Sequence, residues 1–392
     1  MSSVLTSIKV PFHRPSVGEE EVEAVSEVLR SGWLTTGVKT AEFERRFADY
    51  LGVRHAVAVS SGTAALHLSL EAVDLMPGDE VLVPTTTFTA TAEAVTYTGA
   101  RPVLVDIDPQ TMNLDPEDAE RKLTPRTRAI IPVHLGGQPA GMAAIHALAR
   151  SRGLRVVEDA AHALPAWHEG RRVGTLSELT AFSFYATKTL TTGEGGMVTT
   201  DNDDYASRLR WMRLHGIEQN RSDGPAMGKS WSYKVSHRGF KYNLTDLQSA
   251  IGIAQLARCD AMHRARLRIA QRYSDCFASS EALETPRCQP DCESSWHLYI
   301  LRLRLEDLSI GRDRFIEELD QRGVSASVHF IPLHLQPWYQ EQLGYEVGDF
   351  PVAEAQYQRC LSLPIYPGMT EDEIGHVIES VLEVANLGST RH

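Results

Sequence analysis

Between residues 55 and 200 the chain repeats one pattern: a short apolar run, then a stretch with helical periodicity. Candidate strands fall at 55–60, 80–84, 102–107, 129–133, 155–158, 180–184 and 197–200. Helix-like stretches at 64–75, 89–97 and 141–151 separate several of them. Runs this short and apolar suit strands buried on both faces, and parallel strands need a crossover between them. The alternation predicts an α/β domain built on a mainly parallel seven-stranded sheet with helices on both faces. The run at 196–200 follows its predecessor too closely for a helical crossover, which allows it to lie antiparallel to its neighbour.

The pattern changes after residue 244. Leu244, Leu247, Ile251, Ile253 and Leu256 predict a long helix continuing towards Cys276. Beyond it come a Pro/Cys loop at 284–294, a strand at 296–305, a helix at 312–322 and a strand at 325–330. A last amphipathic helix starts after Thr370, with Glu371 and Asp372 in its first turn and Ile374, Val377, Ile378 and Val381 on one face. This reads as a smaller α+β domain. The expected division is 1–250 and 251–392.

Composition narrows the functional classes. A chain of 392 residues with 42% hydrophobic side chains can bury a large core. Its net charge of −12 argues against nucleic-acid binding. No apolar run approaches the roughly 18 residues of a membrane span, and no charged segment followed by an apolar one marks a signal peptide. The five cysteines, Cys259, Cys276, Cys288, Cys292 and Cys360, are odd in number. Cys288 and Cys292 have no second pair at zinc-site spacing. Reduced thiols, no metal and a cytoplasmic location are expected.

Three strand ends carry chemistry. Ser60-Ser61-Gly62-Thr63-Ala64-Ala65 follows a strand and opens a helix. Backbone N–H groups there can bind phosphate, with Gly62 allowing close approach and Thr63 adding a hydroxyl; simple N-capping explains the same residues. Val156-Val157-Glu158-Asp159-Ala160-Ala161-His162 ends an apolar strand in a carboxylate, which either faces a ligand cation or caps the next helix. Phe182-Ser183-Phe184-Tyr185-Ala186-Thr187-Lys188 runs from a strand into a glycine-rich loop, Gly193-Glu194-Gly195-Gly196. A lone lysine is usually a solvated charge. An amine, a carboxylate and a phosphate cup at neighbouring strand ends together make a pyridoxal-phosphate site. Phe88, after another strand end, could stack on the cofactor ring or pack in the core.

With those motifs in view, the chain resembles the sugar aminotransferases of the DegT type, which have the aspartate-aminotransferase fold (fold type I). The likeness runs through SGWLTTG (31–37), SSGTAALHL (60–68), GDEVLVPTTTFTAT (78–91), PVHLGG (132–137), EDAAHA (158–163), FSFYATK (182–188), GEGGMV (193–198), GFKYNLTDLQSAIG (239–252), VHFIPLH (328–334) and SLPIYPGMT (362–370). The resemblance implies that Lys188 forms the Schiff base, Asp159 meets the pyridine nitrogen and Phe88 stacks on the ring. It implies phosphate contacts from Gly62, Thr63 and Ser183. It also implies that Asn243 reaches the phosphate of the partner subunit, hence a homodimer with shared active sites. His162 stands near the cofactor's phenolic oxygen, where many members have Gln. His162 and the segment 239–244 are similar to the enzyme that makes UDP-4-amino-4-deoxy-L-arabinose. That favours amination at sugar carbon 4, from L-glutamate to a nucleotide-linked 4-keto sugar, with 2-oxoglutarate released. Trp33, Lys229, Lys241 and His329 are candidate contacts for the sugar and its diphosphate. Open alternatives are a 3-keto sugar or a cyclitol as acceptor, and a non-catalytic regulatory homologue. A dehydratase on the same scaffold would carry His where Lys188 stands.

Overall fold

The computed structural model describes residues 8–218 and 233–387. Two helices, α1 (Glu19–Ser31) and α2 (Val38–Leu51), precede the sheet. The sheet strands are β1 (His55–Val59), β2 (Glu80–Pro84), β3 (Arg101–Val105), β4 (Thr127–Ile130), β5 (Arg155–Asp159), β6 (Leu179–Ser183) and β7 (Gly196–Thr200). Their spatial order is β1-β7-β6-β5-β4-β2-β3. The pairs β2–β3, β2–β4, β4–β5 and β5–β6 are parallel. Only β7 runs against its neighbours, β1 on one side and β6 on the other. The expected seven strands and the reversed β7 are therefore present, each within a few residues of its predicted position.

Helix α3 (Gly62–Ala72) has almost every side chain buried and covers the centre of the sheet. Helices α4 (Ala90–Tyr97) and Met142–Arg152 follow strand ends in the same manner. Two glycines make the centre possible by close approach. A Cβ on Gly196 would lie 2.3 Å from the Ser61 carbonyl, and one on Gly62 would lie 2.8 Å from Ser183 Cβ. The turn leading into α3 thus rests directly on β6 and β7.

The long helix expected after residue 244 is two helices, Asp246–Ala257 and Cys259–Phe277, broken at Arg258 with φ −106° and ψ 2°. The first of them anchors α2, which has no side-chain cap of its own. The buried Asp246 carboxylate accepts hydrogen bonds from Gly37 N (2.7 Å), Thr40 N (2.9 Å) and Thr40 Oγ1 (2.8 Å). The C-terminal region holds a three-stranded antiparallel sheet of Leu283–Glu284, Tyr299–Leu303 and Cys360–Leu363. Helices Arg312–Gln321 and Glu371–Leu387 complete it, and its core draws in Val10 from the N-terminal side. No strand forms at 325–330. Val324 bridges to Val10 and Ser327 to Ser362 by isolated pairs, so this segment pairs alternately with two distant partners. All five cysteines are free thiols. Among the described residues no helix is long and apolar enough to cross a membrane, and no side-chain cluster could hold a metal ion.

Candidate active site

Ligands of open α/β sheets bind beyond the carboxyl ends of the parallel strands. A larger open cleft of about 1120 Å³ lies elsewhere. Its lining includes Arg54 before β1, Arg155 at the start of β5 and Glu178 before β6, so it flanks the amino ends of these strands. A cavity of about 380 Å³ lies at the carboxyl ends instead. It brings together Gly62, Thr63, Phe88, Asp159, His162, Ser183, Lys188 and His329, eight of the residues singled out in the sequence.

All but His329 follow or end a strand of the large sheet. Ser61 caps α3 by accepting from Ala64 N at 3.0 Å, and its carbonyl accepts from Ala65 N at 3.0 Å. The first-turn N–H groups of Gly62 and Thr63 have no carbonyl one turn back to bond and are available to an anion. Asp159 ends β5 and is buried. Thr91 Oγ1 donates to its Oδ2 at 2.8 Å, and Ala161 N donates to Oδ1 at 3.1 Å. Because Thr91 spends its proton on Asp159, it accepts from Thr87 Oγ1, 2.8 Å away. Burial pushes the Asp159 carboxyl above its usual range, opposed by Thr91, the Ala161 amide and the charge of Lys188. Lys188 follows β6 through a turn closed by its own N–H on the Tyr185 carbonyl at 2.9 Å. Burial lowers its amine from 10.5 to about 8, with Asp159 pulling the other way.

His162 Nδ1 accepts the Gly136 N–H at 3.2 Å. The neutral ring therefore carries its proton on Nε2 and can donate there. Burial and the Lys188 charge hold it far below the ordinary histidine range, so it is neutral near pH 7. On the opposite face of β5, the buried Glu158 accepts from His134 Nε2 at 2.8 Å and from Thr180 Oγ1 at 3.2 Å. His134 Nδ1 accepts from Ala140 N at 3.0 Å, and its backbone N–H donates to the Asp159 carbonyl at 3.1 Å. The loop that supplies Gly136 is thereby tied to the strand that supplies Asp159.

Other predicted residues lie elsewhere. Trp33 Nε1 donates to the Thr36 carbonyl at 3.2 Å, Asn243 Nδ2 donates to Thr36 Oγ1 at 2.7 Å, and Lys241 Nζ donates to Asn243 Oδ1. Thr36 and Asn243 line a separate cavity of about 180 Å³. None of Trp33, Lys241 and Asn243 lines the Lys188 cavity of its own chain. Lys229 lies outside the described residues. Sequence reasoning passed over His297 and Phe330, which complete the wall opposite the sheet. His297 sits where a strand-like apolar run begins, and nothing local distinguishes it from a core residue.

The family model described as the DegT/DnrJ/EryC1/StrS aminotransferase family matches residues 15–382. The chain belongs to this family. It is a pyridoxal-phosphate-dependent aminotransferase. The aminotransferase is 46% identical over 376 residues to SpsC of Bacillus subtilis, a spore coat polysaccharide biosynthesis protein, covering 96% of this chain and 97% of that one. A Streptococcus pneumoniae protein described as a sugar aminotransferase, solved in its PLP form, superposes with a TM-score of 0.91 at 33% identity, covering 97% of this chain and 99% of the other. S. venezuelae DesV gives a TM-score of 0.89 at 37% identity, covering 96% and 98%. The cavity suits the cofactor chemically. It holds an amine of lowered basicity, a buried carboxylate, and a helix start so tightly seated on Ser183 that a Cβ at Gly62 would collide with it.

Proposed function

We propose that this aminotransferase moves the amino group of L-glutamate onto carbon 4 of a nucleotide-linked 4-keto sugar, releasing 2-oxoglutarate. The observation that carries the reading is the pairing of Lys188 with Asp159 at adjacent strand ends of one cavity. Supporting it are the descriptions of relatives as sugar aminotransferases and as acting in polysaccharide synthesis. Carbon 4 rather than carbon 3 is favoured by His162 and by the segment 239–244.

In this reading Lys188 Nζ is the amine that would hold the cofactor. Gly62, Thr63 and Ser183 would hold its phosphate, Phe88 would pack against its ring, and the Asp159 carboxylate would accept a hydrogen bond from the ring nitrogen and so keep that nitrogen protonated. His162 donates from Nε2 to the phenolic oxygen. Bound pyridoxal phosphate supplies the electron sink that makes a carbon next to nitrogen acidic. With the cofactor in place, the Lys188 Nζ amine would take the proton from the donor's α-carbon as a general base. It later delivers a proton to the sugar carbon that receives nitrogen. An amine near 8 suits both tasks at neutral pH, since each protonation state is well populated. Asn243, which does not line the Lys188 cavity of its own chain, acts in that of a second subunit, in a homodimer working in the cytoplasm, and Lys241 stays a candidate for the diphosphate. Trp33, Lys229 and His329 remain candidates for the sugar and its diphosphate.

A panel of UDP- and dTDP-linked 4-keto and 3-keto sugars, offered with L-glutamate and read by NMR of the product, tests the proposal. Amination at carbon 4 is expected. Preference for a 3-keto sugar or a cyclitol, or no turnover with any acceptor, would overturn it. Lys188→Ala should lose both turnover and the visible absorbance of the lysine-bound cofactor.

A further inference from the structure

Behind the Lys188 cavity lies a second, much smaller space of about 30 Å³. His297 lines both. Thr187 and His329 also line both, and Phe12, His13, Leu298 and Ile365 complete the smaller chamber. Two ring nitrogens, His297 Nδ1 and His13 Nε2, are buried without a protein partner. About 10–15 Å³ suffices for one water, so the chamber that both residues line has room for a single water.

His297 is only 6% exposed. Its ring lies 4.4 Å from that of His162, tilted by 43°, which fixes its plane. Its other nitrogen, Nε2, takes part in no hydrogen bond among the described residues. Buried polar groups are nearly always paired, so the buried Nδ1 calls for a partner from outside the described residues. One nitrogen can find it in the chamber. The residue also lines the substrate cavity, which offers the other nitrogen a ligand.

We propose that His297 reads the acceptor: its Nε2 hydrogen-bonds a hydroxyl or carbonyl oxygen of the sugar beside Lys188, while Nδ1 is anchored from the chamber behind. This rests on the sugar-acceptor reading above. The two substrates differ in what they ask of the wall. L-Glutamate carries two carboxylates, which call for cations. The acceptor ring carries neutral oxygens. The three histidines of the wall are all held neutral: burial keeps His162 and His297 far below the ordinary range and His329 at about 4. A neutral imidazole offers one donor nitrogen, one acceptor nitrogen and no charge, which suits a hydroxyl better than a carboxylate. His297 is therefore a specificity-determining residue of the second half-reaction.

Two substitutions separate this role from a structural one. Glutamine carries its amide about where Nε2 lies, and asparagine about where Nδ1 lies. In the cofactor-loaded enzyme, His297→Gln should keep kcat/KM for the acceptor within about fivefold of wild type, whereas His297→Asn should lose roughly 10- to 100-fold. Single-turnover absorbance with L-glutamate alone should show a loss several-fold smaller than that in the acceptor half. Calorimetric binding of the acceptor should weaken in the same order, Asn more than Gln. Asparagine outperforming glutamine would mean that His297 serves only the chamber, and the proposal falls. Equal behaviour of both variants and wild type, or an equal loss in the glutamate half, overturns it as well. Failure of the wild-type enzyme with every sugar is a different result, which removes the sugar-acceptor reading itself.

Discussion

Burial holds the Lys188 amine at about 8 instead of 10.5, against the pull of Asp159. A lysine titrating at 10.5 is unprotonated in about one molecule in 3,000 at pH 7, and one titrating at 8 in about one in eleven. The cavity therefore raises the supply of nucleophilic amine roughly 300-fold at neutral pH. Competitive acetylation of the apoenzyme with trace acetic anhydride, from about pH 6 to about pH 10, measures this directly when the Lys188 peptide is followed by mass spectrometry. Only the free amine reacts, so labelling should climb about tenfold per pH unit below the midpoint and level off above about 8. Asp159→Asn removes the carboxylate that favours the charged form, so the midpoint should move down. Labelling that still climbs at about pH 10, or a midpoint that moves up in Asp159→Asn, would refute the account.

Gly62→Ala places a Cβ 2.8 Å from Ser183 Cβ. The strain, about 1–3 kcal/mol, should weaken pyridoxal phosphate binding to the apoenzyme by roughly 5- to 150-fold while affecting pyridoxal, which lacks the phosphate, far less. Glu158→Leu strands the His134 and Thr180 donors at a cost of about 2–4 kcal/mol. It should lower the thermal unfolding midpoint by several degrees, while Glu158→Gln, which keeps an acceptor oxygen, should lose less than half as much. Asp246→Ala removes the acceptor for Gly37 N, Thr40 N and Thr40 Oγ1. A loss of about 2 kcal/mol is expected, with hydrogen exchange quickening first at the start of α2.

The strands were legible because strands covered on both faces must be apolar throughout, and their ends must turn polar where a ligand binds. Val156-Val157 followed by Glu158-Asp159 shows both signals in four residues. The break at Arg258 was hidden because Leu256 and Cys259 are both buried, so the apolar spacing runs through the interruption. The segment 325–330 has the composition of a strand, but its bridges go to Val10 and Ser362, choices no local pattern encodes. The carboxylate and lysine stood out only together, because they follow adjacent apolar strands and share that region with a glycine turn. His297 did not, since an imidazole inside an apolar run reads as core until its unpaired nitrogens are located in space.

The cavity wall joins Gly62, Asp159 and Lys188 to His297, His329 and Phe330. Its two sides are thus separated by more than a hundred residues of chain. Contacts of such long range form late, because loop closure must precede them. A nascent chain that has completed β7 already carries the amine and the carboxylate, yet the opposite wall has not been made. The cofactor therefore selects for the finished molecule: it binds the folded form and draws the folding equilibrium towards it in proportion to its own concentration. The folded fraction thereby becomes a function of the concentration of cofactor around the chain.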